Sequence, residues 1–80
     1  MPSGPQIRAA RALLGITAAE LARRADVTLR TIQRFERLNG TPASRTGTLE
    51  RVQQALEAAG VEFLGDPIES PGVRLKRNKA

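Results

Sequence analysis

Between Thr17 and Glu36 two short helical patterns, "TAAELARRA" and "TLRTIQRFE", meet at one tight bend, "ADVT". No other feature of the chain limits its fold as much. Thr17 and Thr28 each stand where a side-chain oxygen can cap a helix, and Glu20 completes a T-x-x-E capping-box pattern. Leu21, Ala22 and Ala25 share one face of the first helix, and Ile32 and Phe35 share one face of the second. Asp26 falls at the bend, a place that calls for a left-handed backbone, which Asp and Asn tolerate and Gly adopts freely. Ala22 lies where the two helices cross, so a large side chain there would push them apart.

The flanks supply the rest of a small domain. "MPSG", residues 1–4, reads as a frayed, disordered lead. Pro5 suits a first helical turn, Ile7, Ala10, Leu13 and Leu14 fall on one face, and Gly15 ends that helix. Asn39-Gly40 is a stop signal after the third helix. "TPASRTG" reads as a loop, and a fourth helix runs from about Thr48 to Gly60 with Leu49, Val52 and Leu56 inward. Beyond it the period changes to two. "VEFL" and "VRLK" alternate on either side of the turn-rich "GDPIESPG", which predicts an antiparallel hairpin over residues 61–76. The expected organisation is one domain over 5–76, with a helix-turn-helix at 17–38, followed by a basic tail at 77–80.

Composition removes whole classes of chemistry. Eighty residues give a core near the lower practical limit, and with only Phe35 and Phe63 as aromatics it must be aliphatic. There is no Cys and no His, so disulfides, thiolate sites, His-based metal sites and a Ser-His-Asp triad are all excluded. No metal or cofactor is expected, and no small-molecule ligand. The start carries no signal-peptide pattern and no apolar run approaches membrane length, so a reducing cytoplasm is the expected location. The net charge is +5, and eleven of the thirteen basic residues are Arg, the side chain suited to bidentate phosphate and guanine contacts. Residues 1–38 carry +4, the segment 73–80 another +4, and the middle is slightly acidic. Two basic regions favour a polyanion partner, although a merely soluble charged surface would look the same.

With those elements in one register, "ARALLGITAAELARRADVTLRTIQRFE" resembles the Cro and repressor-type helix-turn-helix regulators, the XRE family. With "TLERVQQALEAAGVEF" included, the likeness runs over residues 5–64. It implies a mainly α, lambda-repressor-like bundle of four helices, here closed by a C-terminal antiparallel hairpin. It also implies that the third helix enters the major groove of double-stranded DNA. Two departures stand out. Ala18 occupies a position where the family often carries Gln, and the usual closing helix is replaced by the hairpin, an ending similar to that of some short bacterial members.

Because Ile32 and Phe35 face inward, Leu29, Arg30, Gln33 and Arg34 must face outward. Arg can pair bidentately with guanine, Gln with adenine, and Leu can touch a thymine methyl, so these four are the candidate base readers. Thr28 and Thr31 are candidates for phosphate contact. The resemblance adds Arg45, Thr46 and Thr48, on the loop before helix four, as DNA-backbone contacts, with plain N-capping as the alternative for both threonines. It also implies a structural salt bridge between Arg11 and Glu36.

Two functions remain open at this point. One is a sequence-specific regulator that binds DNA as a homodimer, its two copies joined by strand pairing of the hairpin that carries Val61, Phe63, Val73 and Leu75; the alternative for these four is a hairpin that only covers the helices of its own chain. The other is a protein-binding module on the same scaffold, such as an anti-activator or an antitoxin-like subunit, for which Ala18 and an outward Leu29 leave room. An enzyme is the poorest reading: the chain has no phosphate-cradling Gly motif and no carboxylate pair at a useful spacing. The operator sequence and the direction of regulation are not encoded in any residue pattern.

Overall fold

A computed structural model describes residues 2–43 and 47–76. The order is α1 (Gly4–Leu14), α2 (Ala18–Ala25), α3 (Leu29–Arg37), α4 (Thr48–Ala58), β1 (Val61–Leu64) and β2 (Gly72–Leu75). The chain is thus a mainly α bundle of four helices with a two-stranded antiparallel hairpin at its end. Ile7, Ala10, Leu21, Ala22, Ala25, Ile32, Phe35, Leu49, Val52, Leu56 and Val61 form a single buried core. Every helix contributes to it, with Phe35 at 0% exposure as its one aromatic. No helix among the described residues is long and apolar enough to cross a membrane.

Local chemistry sets the helix ends. Gly15 closes α1 in the left-handed region at φ 67°, and Asp26 closes α2 there at φ 57°. The Thr17 hydroxyl accepts the Glu20 N–H at 3.1 Å, and the Thr28 hydroxyl accepts the Thr31 N–H at 3.1 Å. The T-x-x-E pattern gives only this half of a capping box, because the Glu20 carboxylate turns instead to Arg23 and Arg24. α3 stops at Arg37, where Leu38 swings to extended backbone, so Asn39-Gly40 lies beyond the end and supplies no left-handed cap. α4 is preceded by Gly47, which makes Gly47 rather than Thr48 its N-cap residue. Leu13, expected inward, is exposed: the buried stripe runs through Ile7, Ala10 and Leu14, and Leu13 lies off its edge.

The lead is not frayed over residues 2–4. Pro2, Ser3 and Gly4 are buried. Ser3 caps α1 in a complete capping box with Gln6: the Ser3 hydroxyl accepts the Gln6 N–H, and the Gln6 Oε1 accepts the Ser3 N–H at 3.0 Å. The Gly4 N–H donates to the Gly40 carbonyl at 3.1 Å. A Cβ on Gly4 would collide with the carbonyl oxygens of Phe35 and Leu38, so only glycine lets α1 start against the end of α3. The expected tail at 77–80 lies outside the described residues.

The hairpin pairs Val61 with Leu75, Glu62 with Arg74, Phe63 with Val73 and Leu64 with Gly72. Of the two roles expected for it, strand pairing with a second copy and cover for its own helices, the second is visible within the chain: Val61 is 2% exposed and belongs to the core, while Phe63, Val73 and Leu75 pack partly buried against it. An aliphatic core built on one ring gains more from this cover than from leaving four apolar side chains in water. The outer face carries the Glu62–Arg74 ion pair. Gln6 fastens the hairpin to α1, its Nε2 donating to Leu64 O at 3.2 Å and to Gly72 O at 3.0 Å.

Candidate nucleic-acid interface

α3 is held by its inner face, with Ile32 and Phe35 fully buried and Glu36 nearly so. Leu29, Arg30, Gln33 and Arg34 are thereby turned to solvent, all four exposed. Arg30 and Gln33 make no hydrogen bond or ion pair among the described residues, which leaves their polar groups available to an outside partner. The Arg34 guanidinium lies over the Phe35 ring, 5.0 Å from its centroid, and this cation–π contact fixes its stem against the helix. Leu29 is 41% exposed at the head of the helix. Beside it, the Thr28 and Thr31 hydroxyls lie 2.9 Å apart. Each is at the helix N-terminus, where backbone N–H groups and the helix dipole favour a phosphate.

The scaffold behind this face is braced by charge. Arg11 grips Glu36 with two parallel bonds, Nε to Oε2 and Nη2 to Oε1, both 2.9 Å, and its Nη1 donates to the Ile16 carbonyl at 3.2 Å. The hydrogen bond to Glu36 pushes the Arg11 pKa above its ordinary value against the opposing pull of burial. One element away, hydrogen bonds from Arg23 and then Arg24 hold the Glu20 carboxyl below the usual carboxylate range, and the same contact with Glu20 raises Arg23. Arg23 and Arg24 are thus exposed side chains that pair with Glu20 along the surface of α2.

The geometry of α2 and α3 has a counterpart among known families: residues 7–64 match the family described as Helix-turn-helix. The chain belongs to it. It is the Cro and repressor-type, or XRE, helix-turn-helix family of DNA-binding regulators. No curated protein matches the chain.

Within this helix-turn-helix domain the sequence-derived base readers share one exposed face. Thr28 and Thr31 stand at its N-terminal rim. Thr48 opens α4, but Arg45 and Thr46 lie outside the described residues. Ala18, at the position where the family often carries Gln, packs against the core and presents no polar group. Two basic residues escaped the sequence reading. Arg37 is exposed one turn beyond Gln33, a position that helical spacing from Arg30 and Gln33 could have flagged. Arg8, on α1, donates from Nη1 to the Glu36 carbonyl at the end of α3. Nothing local in the sequence announces that contact, since the partners are 28 residues apart.

Proposed function

We propose that this helix-turn-helix protein is a sequence-specific transcriptional regulator that lays α3 in the DNA major groove, works as a homodimer, and resides in the cytoplasm. The observation that carries the reading is the outward face of α3. Two arginines, a glutamine and a leucine are exposed on a helix whose opposite face is locked into the core. Arg30 is the guanine reader, with five donors and no competing acid among the described residues. Gln33 suits adenine, Leu29 a thymine methyl, and Arg34 a base or phosphate at the edge of the groove. Thr28 and Thr31 take one phosphate at the head of α3, and Thr48 at the start of α4, with Arg45 and Thr46 before it in the sequence, adds contacts to the DNA backbone.

A single domain of this size makes few base contacts, so two half-sites favour a dimer. The hairpin's side chains are committed to its own core, which leaves its edges for pairing. Lys76 N–H donates to Gly60 O at 2.7 Å, and with the strand register this turns the peptide groups of Val61 and Phe63 outward on β1. Those of Val73 and Leu75 face outward on β2. Self-pairing of β2 would set Arg74 and Lys76 against their copies, whereas β1 carries only Glu62, already neutralised by Arg74. The β1 edge is therefore the one suited to a two-fold partner.

One observation favours a second reading. Leu29 is exposed at the head of α3, and an apolar side chain there suits a protein partner, as for an anti-activator or antitoxin-like subunit. Selection of duplexes from a random DNA pool, followed by titration at several salt concentrations, separates the two. The regulator reading expects an enriched motif and an affinity that falls steeply with salt. A chain that binds no duplex at low salt sinks it. The homodimer is checked by mass in solution, and a monomer at micromolar concentration rules it out.

A further inference from the structure

A cleft of about 600 Å³ opens beside the recognition face, lined by Arg8, Gln33, Glu36 and Arg37. Its electrostatics are one-sided. Glu36 is the only acid lining it, and both carboxylate oxygens of Glu36 are already held by Arg11. Arg8 and Arg37 are exposed and have no acidic partner among the described residues. Arg8 Nη1 donates to the Glu36 carbonyl, which places its guanidinium at the end of α3, and the side chain is otherwise exposed. Gln33 belongs both to this cleft and to the exposed face of α3. The cleft is thus the C-terminal continuation of that face.

From this arrangement we infer that Arg8 and Arg37 form a clamp for a DNA backbone phosphate at the C-terminal end of α3. The inference rests on the major-groove reading above and adds the site that seats the far end of the helix. Distance supports it. Leu29 and Arg37 are eight residues apart on one helix, or about 12 Å along its axis, which is about the width of the major groove. A helix whose first turn reads bases brings its last turn to the groove wall, where phosphates stand. The C-terminal carbonyls of α3 would repel an anion unaided, and two guanidiniums from different elements overcome that end of the dipole. Arg from a second helix also fixes the angle at which α3 enters the groove, which a residue on α3 alone cannot do.

The competing account is structural: both arginines merely neutralise the end of α3. Salt dependence distinguishes them. A duplex selected from the random pool is titrated with the full chain, with Arg8→Gln, with Arg37→Gln and with the double variant. Each lost phosphate contact lowers the slope of log affinity against log salt by about 0.9, so across a fourfold rise in salt the affinity falls about 3.5-fold less. The preference for the selected over a scrambled duplex stays within about twofold, because phosphate contacts carry no base information. Variants that melt like the parent and keep its slope overturn the clamp, as does a lost preference with an unchanged slope. A second measurement needs no variant. Methylphosphonate substitution across the flanks of the duplex must lower parent affinity several-fold at one position, and a uniform lack of effect overturns the clamp. If the double variant folds, that position has no effect on it; an equal loss overturns the clamp. If the parent binds no duplex at low salt, the major-groove reading itself falls and the clamp with it. If the parent binds and Arg30→Ala loses base preference while both clamp tests fail, only the clamp is wrong.

Discussion

Arg11 and Glu36 meet through two parallel hydrogen bonds of 2.9 Å, joining α1 to the inner side of α3. Their side chains are 27% and 10% exposed, so water screens the pair only in part. The bidentate fork sets where α3 ends and, through it, how the recognition face is presented. Glu36→Gln keeps the shape but leaves Arg11 facing a neutral amide at the edge of the core. The expected loss is about 1–3 kcal/mol, the range for breaking a charged hydrogen bond that is incompletely buried. A urea melt measures it. A midpoint equal to the parent's shows that the pair contributes nothing to stability.

Arg30→Ala and Arg34→Ala separate reading from packing. Arg30 has no partner among the described residues, whereas Arg34 rests on the Phe35 ring. Removing Arg30 should cost about 1–3 kcal/mol of discrimination between a selected and a scrambled duplex, with the melting temperature unchanged. Arg34→Ala should also cost affinity, and in addition about 0.5–1 kcal/mol of stability through the lost cation–π contact. If neither substitution alters the difference between the two duplexes, α3 does not read bases through these residues.

Gln6→Leu tests how the hairpin is held. The side-chain amide reaches two carbonyls on the register pair Leu64 and Gly72, and its oxygen takes the Ser3 N–H. Leucine removes all three contacts and leaves the buried Ser3 N–H without that acceptor. The expected cost is about 1–3 kcal/mol, with the first loss at the hairpin and the start of α1. Amide hydrogen exchange at Leu64 and Gly72 should accelerate ahead of exchange at Leu21 and Ile32. Uniform exchange across all four would mean that Gln6 does not pin the hairpin.

The same residues mark what the sequence can and cannot disclose. Thr17, Asp26 and Thr28 set local backbone, and their effects lie within three or four residues, so the two helix starts and the bend between them were legible, whereas the end of α3 at Arg37 was not. The outward face of α3 followed from the inward one. Ser3, Gly4 and Gln6 were not legible in the same way. Gly4 is a glycine because two carbonyls at the end of α3 lie against it, and Gln6 is useful only because a hairpin 58 residues later comes within reach. The hairpin itself was visible in the alternation of Val61, Phe63, Val73 and Leu75, but alternation does not say what covers the apolar side. The packing of Phe63, Val73 and Leu75 against the helical core is a contact between segments far apart in the chain. Arg8 was unreadable for the same reason as Gly4: its contact with Glu36 exists only in the folded chain.

Asp26 is the one non-glycine residue among the described residues with positive φ, at 57°. It sits at the turn between α2 and α3, where its N–H still donates to the Arg23 carbonyl at 3.3 Å and the next N–H, of Val27, donates to Ala22 at 3.0 Å. The turn therefore depends on the left-handed backbone and not on any side-chain bond that Asp26 makes. An L-residue in that region is strained by roughly 1–2 kcal/mol, less for Asp than for others, while glycine loses more freedom on folding. The two effects oppose, and relief of strain is the larger where the native φ is positive. Asp26→Gly should therefore stabilise the domain by about 0.5–1 kcal/mol, which raises the melting temperature of a chain this size by about 2–8 °C. Asp26→Val should do the reverse, since a β-branched side chain is least tolerant of this conformation. A thermal melt of the two variants beside the parent checks both signs at once, and a glycine variant that melts lower would show that the freedom glycine loses on folding outweighs the strain.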